Sequence, residues 1–210
     1  MNLANKLTIF RIILVPVMVV FAYLPIKQSF YGVALAMIIM DVIFILASIT
    51  DKLDGYIARS RNQVTTFGKF LDPLADKILV LAAMLILVEL GKLPAWIPII
   101  VLAREFIVSG FRLIAVERGG LVIAASIWGK LKTVTQMIAI IFAFVDIGGF
   151  FTFVSESLTG GHLAINIIAS VMMAISTFAT IFSGWDYVWK GRSLLKEEKP
   201  TKEASSETKK

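Results

Sequence analysis

Long apolar stretches recur along this chain and limit its fold more than any other feature. Six runs each approach the roughly 20 residues that a helix needs to cross a bilayer: 8–24, 31–50, 69–90, 95–117, 129–147 and 163–189. The chain is 58% hydrophobic and its mean hydropathy is +0.83. We therefore predict an all-α integral membrane protein with six transmembrane helices, built as one membrane domain over residues 1–193.

The two ends of the chain differ from these runs. The residues ahead of the first run predict a short amphipathic segment, and the run lacks a small-residue cleavage site, so we expect a retained helix and not a signal peptide. Residues 194–210 (LLKEEKPTKEASSETKK) are charged and polar, which predicts a disordered tail. The chain has no cysteine, which excludes disulfides, thiol nucleophiles and Cys-ligated zinc.

Basic residues gather on one side of the predicted helices. The net charge is +6, yet the opposite side receives only Lys27 and Lys92. The basic side receives the C-terminal tail together with Lys6, Arg11, Lys52, Arg59, Arg61, Lys69, Lys77, Arg104, Arg112, Arg118, Lys130 and Lys132. By the positive-inside rule we place both termini and this side at the cytoplasmic face of the cell membrane, in a multi-pass protein. Charges that follow helix ends in this way do not favour a nucleic-acid partner.

Aromatic residues also fall near the predicted helix ends. Such positions are typical of the aromatic belts at membrane–water interfaces. We assign four residues to these belts: Trp96, Trp185, Tyr187 and Trp189.

Four aspartates lie on the basic side of this predicted membrane protein. Asp51 and Asp54 are three residues apart, and Asp72 and Asp76 are four apart, so each pair lines one face of a helix. Carboxylates are costly at a bilayer, and such a cluster indicates a functional site. Four together would repel one another unless they hold cations, and hard oxygen ligands suit Mg²⁺ or Mn²⁺, which also bind phosphates.

The residues between the aspartates fit a phosphate ligand. Gly55 and Ala58 are small and leave room for a nucleotide or pyrophosphate near the backbone, as does Gly68 one turn before Asp72. Arg59 can hold a phosphate through its guanidinium fork.

Together these residues read D-x2-D-G-x2-A-R-x8-G-x3-D-x3-D, which resembles at every defined position the signature of the CDP-alcohol phosphatidyltransferases. The resemblance implies that Asp51, Asp54 and Asp72 are metal ligands, with two Mg²⁺ or Mn²⁺ ions. It implies that Asp76 also contributes to the metal site and acts as general base on the incoming alcohol. The residues alone do not separate base from ligand among the four carboxylates. The donor substrate would be a CDP-linked lipid and the leaving group CMP.

The amino terminus carries a second match to that family. Asn5, Thr8 and Arg11 have the spacing N-x2-T-x2-R that many members carry ahead of the first span. This spacing places the three side chains near one helix face, where they could contact the nucleotide. An amphipathic interfacial helix with a capping Asn is the alternative reading. Beside the aspartate motif we assign these three residues, with Gly55, Ala58, Arg59 and Gly68, to binding of the CDP-lipid.

Basic residues in the middle of the chain bear on the second substrate. Arg104 and Arg112 lie eight residues apart in an apolar run, and arginines so placed usually face a polar cavity. The stretches 104–112 and 124–136 resemble the branch of the family that makes phosphatidylglycerophosphate, a resemblance that covers residues 2–190. It implies CDP-diacylglycerol and sn-glycerol 3-phosphate as substrates, and a homodimer. Five residues are assigned to the acceptor phosphate: Arg104, Arg112, Arg118, Lys130 and Lys132. For each of them, anchoring at the inner face or an ion pair such as Arg104–Glu105 is the structural alternative.

Other functions remain open from the sequence. Within the family, the acceptor could be serine, an inositol phosphate or phosphatidylglycerol. Outside it, the carboxylates could line the pathway of a divalent-cation transporter, although transporters of that kind usually show an internal repeat and polar groups at mid-membrane. Two residues carry no assignment. His162 lies in a predicted outer loop, and Asp41 could pair with an arginine, face a subunit interface or line the substrate cavity.

Overall fold

The computed structural model describes residues 3–60, 66–117, 127–155 and 158–192, with side chains at these positions except 3–6, 51–60, 66–70, 72, 73, 116 and 117. In chain order the elements are α1 (Leu3–Tyr23), β1 (Ser29–Phe30), β2 (Val33–Ala34), α2 (Leu35–Ser60), α3 (Thr66–Glu89), α4 (Trp96–Glu117), α5 (Ile127–Val145), α6 (Thr152–Ser155) and α7 (Gly160–Gly191). The predicted tail, 194–210, lies outside the described residues.

A predominantly helical chain is confirmed, and the six long helices follow the six predicted apolar runs. Within the described residues, α5 and α7 are long and apolar enough to cross a membrane. Shorter apolar helical stretches occupy Leu7–Tyr23 and Leu35–Thr50. α3 and α4 carry charged side chains within their length, which lowers their hydropathy.

Three local features differ from the sequence predictions. The second helix starts at Leu35, because residues 29–34 form an antiparallel hairpin in which Ser29 pairs with Ala34. Its turn residues Tyr31 and Gly32 both have positive φ, 49° and 78°, as tight hairpin turns require. The all-α prediction missed this hairpin because two-residue strands leave no periodic signal.

The other two differences concern helix ends. α1 is continuous from Leu3, so the predicted amphipathic segment and the first apolar run form one helix. α2 continues to Ser60 and does not end near Asp51. The apolar pattern stops at about residue 50, but the helix continues because its motif residues are still compatible with helical backbone.

The long helices pack as two groups of three. α1 packs against α2 and α3, while α7 packs against α4 and α5, and contacts between α2 and α5 join the groups. Phe44 of α2 and Phe144 of α5 meet at this junction with ring centroids 6.4 Å apart. Both rings are fully buried, together with Met40, Leu79, Leu87 and Ile140, so the apolar core runs through the junction.

The antiparallel order of the helices brings particular ends together. The C-terminal ends of α2, α4 and α7 lie with the N-terminal ends of α1, α3 and α5, as contacts from Arg11 to Ala47 and from Arg104 to Ser183 show. We call this the motif end. The hairpin, α6 and the start of α7 lie at the opposite end, where Lys92 contacts Asp146.

Candidate active site

The aspartate motif lies on two neighbouring helices. Asp51 and Asp54 fall in the last third of α2, and Asp72 and Asp76 fall in the first half of α3. The backbone is helical at all four positions, and that each pair shares a helix face stays a prediction. The described side chains include Asp76 and leave out Asp51, Asp54, Gly55, Ala58, Arg59, Gly68 and Asp72.

A cavity of about 580 Å³ opens beside Asp76. Its walls come from α3, α4 and α5, and apolar side chains line most of it. The polar residues that line it are Asp76, Lys77, Arg104, Glu105, Ser109, Arg112, Lys132, Thr133 and Gln136. The half-buried Asp76 and three of the predicted acceptor cations therefore border the same space.

Glu105 is the anion around which the cations of this cavity are arranged. Its Oε1 accepts from Lys132 Nζ at 2.6 Å and from Arg104 Nη1 at 2.9 Å. Its Oε2 lies 3.5 Å from Lys77 Nζ, which also donates to Ser109 Oγ at 2.7 Å. Lys132 is buried, so this carboxylate supplies the counter-charge that a buried ammonium requires.

Arg104 is held on several sides by the protein. Its Nε and Nη2 both donate to Ser183 Oγ, at 3.2 and 2.7 Å. A Cβ added at Gly129 would lie 3.2 Å from Nη2, and one at Gly184 would lie 3.5 Å from Cγ. The two glycines thus leave the space that this side chain occupies between α5 and α7.

Arg112 lies about two turns further along α4 and lines the same cavity. Its Nη2 donates to Tyr187 Oη at 3.2 Å, and its guanidinium carbon lies 5.9 Å from the centre of the Tyr187 ring. Arg104 lies at the same distance from that ring. Tyr187 is 1% exposed, so its assignment to an aromatic belt was wrong. The hydropathy pattern could not tell it from its neighbours Trp185 and Trp189, which are exposed and stacked on each other.

The charges on the cavity wall do not balance. Four cations, Lys77, Arg104, Arg112 and Lys132, face two carboxylates, Asp76 and Glu105, which gives an excess of two positive charges among the described lining residues. A phosphate monoester carries between −1.5 and −2 at neutral pH. The wall therefore suits an anion of that charge.

The other two predicted acceptor residues stand apart from this cluster. Lys130 is exposed and is not among the residues that line the cavity, and Arg118 lies outside the described residues. The Arg104–Glu105 ion pair that the sequence offered as the structural alternative is present, whereas sequence reasoning missed Lys77 and Ser183, and the wider contacts of Glu105, as parts of the cluster. Lys77 directly follows the last motif aspartate, and Glu105 directly follows Arg104, so adjacency to an assigned residue was the signal available.

The N-terminal element reaches the motif end of α2. Thr8 and Arg11 are buried, and Arg11 Nε donates to the carbonyl oxygen of Ala47 at 3.3 Å, one turn before Asp51. Both residues therefore lie beside the motif end of α2, and their role toward the CDP-lipid stays a prediction; the side chain of Asn5 lies outside the described set.

Asp41 and His162 lie away from the cavity wall. Asp41 is buried in α2, and its Oδ1 has no hydrogen-bond partner among the described groups. It does not line the cavity. His162 lies in the first turn of α7 at the opposite end, so its placement in an outer loop was wrong.

The opposite end holds a second polar cluster. Asp146 accepts from Asn166 Nδ2 at 2.6 Å and from the Gly148 amide at 3.1 Å. Lys92 Nζ donates to the Asp146 carbonyl, and Asn166 also contacts the Gly149 carbonyl at 2.8 Å. Burial lowers the pKa of Lys92 to about 8, against the opposing effect of the Asp146 charge. The cavity here is about 10 Å³, at most the space of one water.

The carboxylates of the motif are the candidate metal ligands of this site. Among the residues whose side chains are described, no group of three or more carboxylates or histidines is close enough to hold an ion. Three of the four motif aspartates are outside that set. The donor chemistry of the motif, carboxylate oxygen throughout, fits Mg²⁺ or Mn²⁺.

Several proteins with known names are similar to this chain over most of its length. A 38% identical protein of Bacillus subtilis (strain 168), matched over 93% of this chain and 97% of its own length, is named CDP-diacylglycerol–glycerol-3-phosphate 3-phosphatidyltransferase. A Haemophilus influenzae protein with the same name is 46% identical over 66% of this chain and 73% of its own. A probable phosphatidylglycerophosphate synthase of Mycobacterium tuberculosis is 37% identical over 89% and 80%.

The family comparison covers both the motif and the cavity wall. The model of the CDP-alcohol phosphatidyltransferases matches residues 1–182, which include all four motif aspartates, Arg104, Arg112 and Lys132. The chain is therefore a transferase that belongs to the CDP-alcohol phosphatidyltransferase family.

Proposed function

We propose that this enzyme transfers the phosphatidyl group of CDP-diacylglycerol to sn-glycerol 3-phosphate, giving phosphatidylglycerophosphate and CMP. One observation carries the choice of acceptor. The cavity beside Asp76 has two excess positive charges on its described wall, which suits a second substrate with a phosphate of its own. The names of the relatives from Bacillus subtilis and Haemophilus influenzae support the same acceptor.

The reaction is a substitution at phosphorus. The acceptor hydroxyl oxygen forms a bond to the phosphorus of the phosphatidyl group, and the bond from that phosphorus to the CMP oxygen breaks. Asp76 takes the hydroxyl proton as general base, because its carboxylate borders the cavity that would hold the acceptor. CMP leaves as the anion, and no covalent enzyme intermediate is needed.

The acceptor is held through its phosphate. Arg112 and Lys132 on the wall supply positive charge and donors, and orientation of the bound hydroxyl toward Asp76 lowers the barrier. Serine has no phosphate for this wall, which makes it a poor acceptor. Lys130 and Arg118 remain proposed contacts at the same end of the bundle.

The donor is held at the motif. Asp51, Asp54, Asp72 and Asp76 would hold two Mg²⁺ or Mn²⁺ ions, which when bound offset the negative charge that develops on the phosphates. Arg59, Gly55, Ala58 and Gly68, with Asn5, Thr8 and Arg11, would bind the CDP part. The buried Arg11 beside Ala47 supports this, since it places a guanidinium next to the motif.

We also propose six spans, with the motif end at the cytoplasmic face of the cell membrane, and a homodimer. The charge distribution supports the orientation. Lys77, Arg104, Arg112, Lys130, Lys132 and Lys190 lie toward the motif end, whereas Lys27 and Lys92 lie toward the other. Cysteines introduced at Lys27 and Lys190 and labelled from either side of intact cells would test the orientation, and mass photometry in detergent would test the dimer.

The test of function is CMP release by purified protein given CDP-diacylglycerol and Mg²⁺, with different acceptors in parallel reactions. We expect release that depends on glycerol 3-phosphate and stops with a chelator. Release only with serine, an inositol phosphate or phosphatidylglycerol would keep the family and overturn the acceptor. If folded protein released no CMP with any acceptor but carried Mn²⁺ into proteoliposomes, the proposed reaction would be wrong.

A further inference from the structure

Tyr187 lies behind the cavity wall and touches two of its cations. It belongs to α7 and is not among the residues that line the cavity, yet it contacts both Arg104 and Arg112 of α4. At 1% exposure, it offers its hydroxyl to Arg112 from within the protein.

The packing of α7 against α4 places Tyr187 there. Gly184, Tyr187 and Gly191 share one face of α7 at spacings of three and four. A Cβ at Gly191 would lie 2.5 Å from Phe111 Cδ1, and one at Gly184 would lie 3.5 Å from Arg104 Cγ. The two glycines therefore let the helices approach closely on either side of Tyr187, which fixes its ring against α4.

The arginines on the ring differ in how their donors are used. Arg104 gives its donors to Ser183 and Glu105. Among the described residues, the hydrogen-bond partner of Arg112 is Tyr187 Oη, which takes one Nη2 proton. The other guanidinium donors of the exposed Arg112 remain for a ligand in the cavity that it lines.

We propose that Tyr187 is a positioning residue that aims Arg112 at the phosphate of the acceptor. An arginine side chain loses rotamer freedom when it binds a ligand, and a contact that holds it beforehand reduces that cost. The ring supports the guanidinium by a cation–π contact, and the hydroxyl fixes its rotation. The proposal rests on the proposed function, because it takes the cavity ligand to be the phosphorylated acceptor.

The test is steady-state kinetics of Tyr187→Phe, which keeps the ring and removes the hydroxyl. We expect the KM for glycerol 3-phosphate to rise about fivefold, with kcat and the KM for CDP-diacylglycerol changed by less than about twofold. The matched control is Tyr23→Phe, which makes the same change on an exposed tyrosine at the opposite end and should leave all three constants unchanged. A purely structural role would alter both substrates alike.

A double-mutant cycle shows whether Tyr187 acts through Arg112. Arg112→Gln alone should raise the KM for glycerol 3-phosphate by at least about tenfold, and adding Tyr187→Phe should raise it no further, because coupled residues are not additive. Independent, additive effects would overturn the proposal. If Tyr187→Phe does not fold, Arg112→Lys provides a second test, because it keeps the charge and removes the planar guanidinium that Tyr187 would position. An unchanged KM for glycerol 3-phosphate in that variant would also overturn the proposal.

Equilibrium dialysis with radioactive glycerol 3-phosphate separates this proposal from the proposed function. Weaker binding by Tyr187→Phe supports the positioning role even if the wild type releases no CMP with that acceptor. Equal binding by both proteins overturns the positioning role even if the wild type is active. If the wild type neither binds nor turns over glycerol 3-phosphate, both proposals are wrong.

Discussion

At the end opposite the cavity, Asp146 is surrounded by donors from the protein itself, whereas Asp76 at the motif end borders an open space of about 580 Å³. Both clusters join a lysine, a carboxylate and close glycines. In the first, Asn166, Gly148 and Lys92 occupy the polar atoms of Asp146, and a cavity of about 10 Å³ remains. In the second, the described wall carries more positive than negative charge.

The difference shows what separates a structural polar cluster from a binding site in a membrane protein. Polar groups in an apolar setting need partners in either case. Where the protein supplies all the partners, the cluster has a structural role. Asn166, for example, also accepts from the Phe153 amide at 2.9 Å and so links α7 to α6. Where the described wall of a cavity keeps an excess of charge, the missing counter-charge would come from a bound ligand. The following predictions test this contrast.

The largest effect is expected for Asp76→Asn. The amide cannot take the proton of the acceptor hydroxyl, so kcat should fall by about 10³-fold or more, since general-base catalysis alone contributes 10²–10⁴. CMP release measures the rate, and calorimetric titration with Mn²⁺ should show metal binding that is weakened but present. Turnover close to that of the wild type would refute the base assignment.

The same exchange at the other end is the matched control. Asp146→Asn should leave kcat per folded molecule unchanged, because no substrate reaches that cluster. It should lower the free energy of unfolding by about 1–3 kcal/mol through the loss of charge-assisted hydrogen bonds. If Asp146→Asn abolished turnover without loss of stability, the distinction between the two clusters would fail.

Removal of Glu105 should leave the cations of the cavity wall without the carboxylate that pairs with them. Glu105→Ala leaves the buried Lys132 and its neighbour Arg104 without their shared carboxylate, which should cost about 2–3 kcal/mol of unfolding free energy. Thermal unfolding in detergent measures the loss. Millimolar inorganic phosphate should restore part of it, since an anion can take the place of the carboxylate. A variant as stable as the wild type, with no response to phosphate, would contradict this view of the wall.

A smaller effect is expected for Lys132→Gln on substrate affinity. The change removes one charge from the wall, and the KM for glycerol 3-phosphate should rise about tenfold, or roughly 1.4 kcal/mol. The KM for CDP-diacylglycerol should change less, because the proposed donor site lies on α1, α2 and α3. Equal changes in both constants would count against an acceptor site at Lys132.

The last prediction is a pH dependence of stability at the opposite end, where no effect on turnover is expected. Burial lowers the pKa of Lys92 to about 8, below the 10.5 of an unperturbed lysine, so the folded state binds this proton less tightly than the unfolded state. The cost of burying the charge is fully present below pH 8 and disappears as the pH rises toward 10.5, so this group makes stability rise across that interval. Lys92→Met should remove this contribution. The measurement is the free energy of unfolding as a function of pH for the wild type and the variant, and the two curves should differ in slope across this interval. Parallel curves would mean that Lys92 is not perturbed.

Much of the site could be predicted from the sequence because its signals are local. Asp51, Asp54, Asp72 and Asp76 have fixed spacings, and they fall on the neighbouring helices α2 and α3. Arg104, Arg112 and Lys132 were assigned as unusual charges in apolar helices, and all three line the cavity. Their exact roles stay predictions until the variants are measured.

What the sequence did not predict depends on contacts between distant helices. Tyr187 lies 75 residues from Arg112, and nothing in the local pattern shows that α7 turns this ring inward while Trp185 faces outward. The hub role of Glu105 likewise arises only when α3, α4 and α5 meet. The hairpin at 29–34 was missed for a different reason, since its strands are two residues long.

The division of the long helices into two groups has a mechanical consequence. The proposed base and metal ligands lie on α2 and α3 in one group, and the proposed acceptor cations lie on α4 and α5 in the other. Lys77 of α3 contacts Ser109 and Glu105 of α4 across the boundary between the two groups. A sub-ångström displacement of one group of helices against the other would move the acceptor hydroxyl relative to the phosphorus that it attacks, without breaking the packing inside either group. In the proposed reaction, the alignment of the two substrates would therefore depend on how the two groups of helices pack together, through Lys77 on one side and Phe44 against Phe144 in the interior.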